Sequence, residues 1–104
     1  MGAQGTAIIN FGPFPGVTDV TVNVTGQAGI LSGSLVEAWI LPAATANHSA
    51  DEHWIDPPDI KAGNVVAATG FTIYGKSREG DGIGDKRGNA PAVYGEWNVA
   101  WVWN

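Results

Sequence analysis

The sequence predicts an all-β protein: a single antiparallel β-sandwich of about six strands, with one short helical turn in a loop near residues 50–55. Three observations carry this expectation. The chain holds 15 Gly and 6 Pro among 104 residues, a supply of turn formers that suits many short elements rather than long helices. Apolar runs are short and are closed by Gly/Pro signals such as Gly12-Pro13 and Pro15-Gly16. Between Thr18 and Thr25 the alternation is strict, with Val20, Val22 and Val24 on one face and Asp19, Thr21, Asn23 and Thr25 on the other. Strands of this kind, spaced by turns, pack as a sandwich or barrel. The length fits one domain, residues 1–104, with one modest core.

The elements follow in order. Thr6 to Phe11 is a first short strand, preceded by a flexible leader. The alternating segment Thr18–Thr25 is the second and ends at Gly26. Leu35 to Leu41 is apolar on both faces apart from Glu37, which predicts a central strand or one covered on both sides. The run Asn64 to Tyr74 contains Gly70, which marks a bulge or a turn between two short strands. The last segment, Val93 to Trp103, places Val93, Trp97, Val99, Trp101 and Trp103 on one face. The helical signal is Ser49-Ala50-Asp51-Glu52, a capping box with Ser49 as N-cap and Glu52 at N3; Pro57-Pro58 stops it within two turns.

Composition excludes several functions. Charged residues are only 14% of the chain, and 10 acids against 5 bases give a formal charge of −5. Such a domain gains nothing from phosphate counterion release, so no nucleic-acid partner is expected. No apolar run is long enough to span a bilayer, so no membrane insertion is expected. Cysteine is absent, which removes disulfides, thiolate metal sites and cysteine nucleophiles. Gly2 and Thr6 fit a myristoylation pattern, but no polybasic patch follows to supply a second anchor.

Two loops and the tryptophans hold the candidate functional residues. Segment 47–59 carries His48, Asp51, Glu52, His53, Asp56 and Asp59 with no basic residue among them. Imidazoles and carboxylates in such density suit a metal ion, for which His48, His53, Asp51 and Glu52 are the candidate ligands. Two His five apart, however, are not the pair that one helix face presents to zinc. The capping box places His48 at N′ and His53 at N4, the two positions of a hydrophobic staple, and packing of the rings is the preferred reading. No other cofactor is implied.

The second loop, Lys76 to Ala90, holds four of the five basic residues together with Glu79, Asp81 and Asp85. Its acid–glycine alternation fails as a calcium loop, because Ile83 stands where oxygen is needed. It reads instead as a long hairpin loop suited to contacts, with Lys76, Arg78, Asp81, Asp85, Lys86 and Arg87 as its candidate residues. Trp54 beside the acids is a candidate for stacking on a ligand, although folding back over the end of the sandwich is the preferred expectation. Trp39, Trp97, Val99, Trp101 and Trp103 are expected in the core or at a subunit interface. No nucleophile elbow, phosphate loop or identifiable carboxylate pair supports catalysis, so an enzyme is not expected.

The blocks Ala46-Asn47-His48-Ser49-Ala50-Asp51-Glu52-His53, Gly63-Asn64-Val65-Val66-Ala67-Ala68-Thr69-Gly70-Phe71-Thr72-Ile73-Tyr74 and Tyr94-Gly95-Glu96-Trp97-Asn98-Val99-Ala100-Trp101-Val102-Trp103 together resemble small proteins encoded in tailed-phage and prophage genomes, generally among virion structural genes. The resemblance covers most of the chain. It implies a non-enzymatic virion protein, made in the bacterial cytoplasm, that decorates a capsid or forms part of a tail or fibre beside other virion proteins. The strand running into Thr69–Ile73, the loop and the final Trp-rich strand are also similar in pattern to the ending of H-type lectin domains. That likeness implies a six-stranded sandwich and a homotrimer, and it transfers no sugar-binding residue. Apolar surface on two faces of so small a chain independently favours self-association. A carbohydrate-binding module recognising a cell-surface glycan is the alternative function, and a small polysaccharide-acting enzyme comes third.

Overall fold

A computed structural model describes residues 2–77 and 92–104. Six strands and one helix follow in the order β1 (Ala3–Asn10), β2 (Asp19–Val24), β3 (Val36–Ile40), α1 (Ala50–Ile55), β4 (Asp59–Val66), β5 (Gly70–Lys76) and β6 (Glu96–Trp103). They form two three-stranded antiparallel sheets, ordered β1-β6-β3 and β2-β5-β4. The sheets pack face to face, with β1 against β2 on one flank and β3 against β4 on the other. The all-β sandwich predicted from the alternation and turn chemistry is therefore what forms.

Its core is built by size matching. Trp97, Val99, Trp101 and Trp103 all point inward from β6, as their spacing requires, and all are buried. Trp101 is flanked in register by Gly5 of β1 and Ala38 of β3, two residues small enough to leave room for the indole. A Cβ placed on Gly5 would lie 2.5 Å from the ring. Phe71 from β5 meets Trp101 edge to face, 5.5 Å between ring centroids, and ties the two sheets together. The indole N–H of Trp103 donates to Gln27 Oε1 at 2.9 Å and that of Trp97 donates to the Tyr94 carbonyl at 3.1 Å, so the two rings are buried without orphaned donors.

Four expectations are corrected. Residues 3–5 are not a leader: β1 begins at Ala3, which pairs with Trp103. The Leu35–Leu41 segment is an edge strand, not a central one, because β6 takes the middle of that sheet. The Asn64–Tyr74 run is two strands joined by a turn at residues 67–69, one of the two alternatives expected, but β4 reaches back to Asp59, into the segment read as an acidic loop. The final strand starts at Glu96 rather than Val93, since Gly95 takes a left-handed conformation (φ 79°) that interrupts it; Val93 makes an isolated bridge to Val17.

Candidate functional site

The capping box forms as spelled out by the sequence. Ser49 Oγ accepts from the Glu52 N–H at 3.2 Å, and Glu52 Oε1 accepts from the Ser49 N–H at 2.9 Å. This opens α1 with His48 before it and His53 inside it. The two rings meet edge-on, with centroids 6.5 Å apart, in the arrangement of a staple. Both also lie against Trp97; His48 stacks on it at 3.9 Å with planes 22° apart.

Every ring nitrogen in this cluster is engaged. His53 Nε2 accepts from the Asn98 N–H at 3.0 Å, so its proton sits on Nδ1, which donates to the Ser49 carbonyl at 2.8 Å. The ring is thus a neutral, buried strut between α1 and β6. His48 Nε2 donates to the Tyr94 carbonyl at 2.6 Å, and Nδ1 faces Glu52 Oε2 at 3.1 Å. The Glu52 carboxyl is held below its ordinary pKa, first by the hydrogen bond from the Ser49 backbone and next by that from His48. Among the described residues no group of three or more His, Cys, Asp or Glu is placed to hold a metal ion, so His48, His53, Asp51 and Glu52 do not converge as the metal reading expects.

The other candidates separate. Trp97, Val99, Trp101 and Trp103 are core. Trp39, on the opposite face of its strand from Ala38, is outward and 45% exposed. Trp54 does not fold back: it is 77% exposed, because His53 takes the inward position of this short helix and the next residue is turned away from the sandwich. Lys76 ends β5. Arg78, Asp81, Asp85, Lys86 and Arg87 lie outside the described residues.

Two outward sheet faces remain, and they differ in chemistry. On β1-β6-β3 the registers Thr6–Ala100–Trp39 and Gln4–Val102–Glu37 set Ala100 and Val102 at the centre, with Trp39 on one side and Ile8 on the other. Leu35, paired to Asn104 just before β3, adds a side chain that is 77% exposed. On β2-β5-β4 the registers are Asp19–Lys76–Asp59 and Thr21–Tyr74–Lys61. Below them runs a chain of side-chain hydrogen bonds: Asn64 Nδ2 donates to Thr72 Oγ1 at 3.3 Å, and Thr72 donates to Asn23 Oδ1 at 3.0 Å. These strands bound an open groove of about 900 Å³ whose lining includes Tyr74, 42% exposed. Sequence reading missed this groove. The shared parity of Thr72, Tyr74 and Lys76 was a signal, but which strands flank β5 is set by topology.

No helix among the described residues is long and apolar enough to cross a membrane. Comparison of the chain with protein-family models, curated proteins and solved structures gives no match.

Proposed function

We propose that the protein is a non-enzymatic structural component of a tailed-phage virion, a small sandwich that self-associates to decorate a capsid or build part of a tail or fibre. The virion assignment rests on the resemblance of segments 46–53, 63–74 and 94–103 to such proteins. The observation that supports self-association is the outward face of β1-β6-β3, where the exposed Ile8, Trp39 and Leu35 flank the half-buried Ala100 and Val102, with Gln4, Thr6 and Glu37 on the same face. Covering apolar surface of this kind is worth about 25 cal/mol per Å², and a second copy supplies the cover most simply. A closed symmetric oligomer follows, with three-fold symmetry taken from the lectin likeness. Sedimentation at micromolar concentration, with mass spectrometry of purified particles, tests the reading. An oligomer and the protein's presence in particles support it; a monomer absent from particles overturns it.

A second reading, a glycan-recognition module, is favoured by Trp54, whose exposure on a helix anchored by the His48–His53 staple suits stacking on a sugar ring. Loss of glycan or cell-wall binding on Trp54→Ala supports it, and no binding by the unaltered protein removes it.

A further inference from the structure

We propose that the groove across β2, β5 and β4 is a binding site for a neutral saccharide, with Tyr74 as the platform for a sugar ring. The inference goes beyond the structural role and shares with the glycan reading only its class of ligand, since it uses a different face from Trp54.

Three features lead to that class. The first is shape. The groove is open and about 900 Å³, too large for a single small ion and of the size taken by drug-sized or oligomeric ligands. The second is charge. Asp19 and Asp59 on the two outer strands are matched by Lys61 and Lys76, so the lining carries no net charge and favours neither a polyanion nor a polycation. It does offer donors and acceptors at fixed registers, which is what a ligand bearing many hydroxyls requires. The third is the ring. Tyr74 is held in the central strand between Thr21 and Lys61, so its backbone is fixed by ladder bonds on both sides while its side chain is partly open to solvent. An aromatic side chain presented from a rigid element, in a groove that sets the apolar Val20, Ile60 and Ala62 beside the polar Asp19, Thr21 and Lys61, suits a pyranose with its apolar face and hydroxyl rim.

Gly63 sharpens the assignment. It borders the groove beside Tyr74, and a Cβ placed there would lie 3.9 Å from Tyr74 Cε1, an ordinary contact with no other neighbour near. Its backbone is not in the left-handed region, so the fold does not demand glycine at this position. What a side chain would do is cover the edge of the ring. Gly63→Leu is therefore a plug that leaves the strands intact, and Tyr74→Ala removes the platform itself.

The full chain is titrated with neutral oligosaccharides (maltotetraose, cellotetraose and chitotetraose) and probed on an array carrying neutral and sialylated glycans, with thermal melts to confirm folding of each variant. The expected result is binding to at least one neutral glycan that weakens about tenfold or more in Tyr74→Ala and in Gly63→Leu and persists in Tyr74→Phe. Gly63→Leu keeps the test decisive if Tyr74→Ala fails to fold. Four results overturn the proposal: no binding to any neutral glycan at millimolar concentration, binding restricted to acidic glycans, binding unaffected by both groove variants, or binding lost in Trp54→Ala alone. The last of these leaves the Trp54 reading standing, so the two fail separately.

Discussion

The two outward faces of this sandwich share one core and differ in chemistry. Over β1-β6-β3 the central strand shows Ala100 and Val102, and Trp39, Ile8 and Leu35 extend the apolar surface. Over β2-β5-β4 the same positions in the pleat carry Asp19, Thr21, Lys61, Tyr74 and Asp59. The difference is local, because inward residues on both sheets are equally apolar. An alternating strand leaves its outer residues free to vary, so one fold can offer a surface for association and another for polar recognition.

The largest expected effect comes from breaking what the faces share. Trp101→Ala removes the ring that meets Phe71 and fills the space left by Gly5 and Ala38. It should cost about 3–5 kcal/mol and abolish cooperative melting or lower the midpoint by many degrees in calorimetry. A variant that melts like the unaltered protein contradicts the packing described.

The next effect separates the faces. Trp39→Glu adds charge to the apolar side without touching the groove. Self-association should weaken about tenfold or more, whereas Tyr74→Ala should leave it unchanged.

How much of this was legible beforehand depends on the distance over which each signal acts. Ser49 and Glu52 are three residues apart, so their reciprocal hydrogen bonds, and the meeting of His48 with His53 across them, could be read directly from spacing. The inward set Trp97, Val99, Trp101 and Trp103 followed from alternation alone. Strand order did not. Leu35–Leu41 reads as central because apolar residues fill both its faces, yet it sits at an edge, and Trp39 is outward because it alternates with the inward Ala38. Trp54 was expected to fold back, but the inward place on a helix of only six residues was already taken by His53. The groove depends on Asp19, Lys76 and Asp59 lining up from three strands, a register that no local pattern encodes.

Smaller effects probe the clamp that holds α1 against β6. Ser49→Ala removes one half of the capping box and should cost about 1 kcal/mol, seen as a drop of about 4–8 °C in the melting midpoint. No change would mean that His53 and Trp97 anchor the helix without it. The smallest effect is on pH. The Glu52 carboxyl sits below its ordinary value of 4.5 in the folded chain, so the unfolded state holds that proton more tightly. Its contribution is therefore present above the unfolded value and is lost as pH falls from there through the folded one. The carboxylate is half exposed, which keeps the effect small. Melting curves between about pH 6 and pH 3 should fall more steeply for the unaltered protein than for Glu52→Gln, and parallel curves would remove the carboxylate's hydrogen bonds to Ser49 and His48 from the account.

The difference between the faces is tested most directly by sedimentation equilibrium at micromolar concentration on the unaltered protein, Trp39→Glu and Tyr74→Ala. The account predicts an oligomer for the unaltered chain and for Tyr74→Ala, and a monomer for Trp39→Glu. A monomeric unaltered protein, or an oligomer indifferent to Trp39, contradicts it.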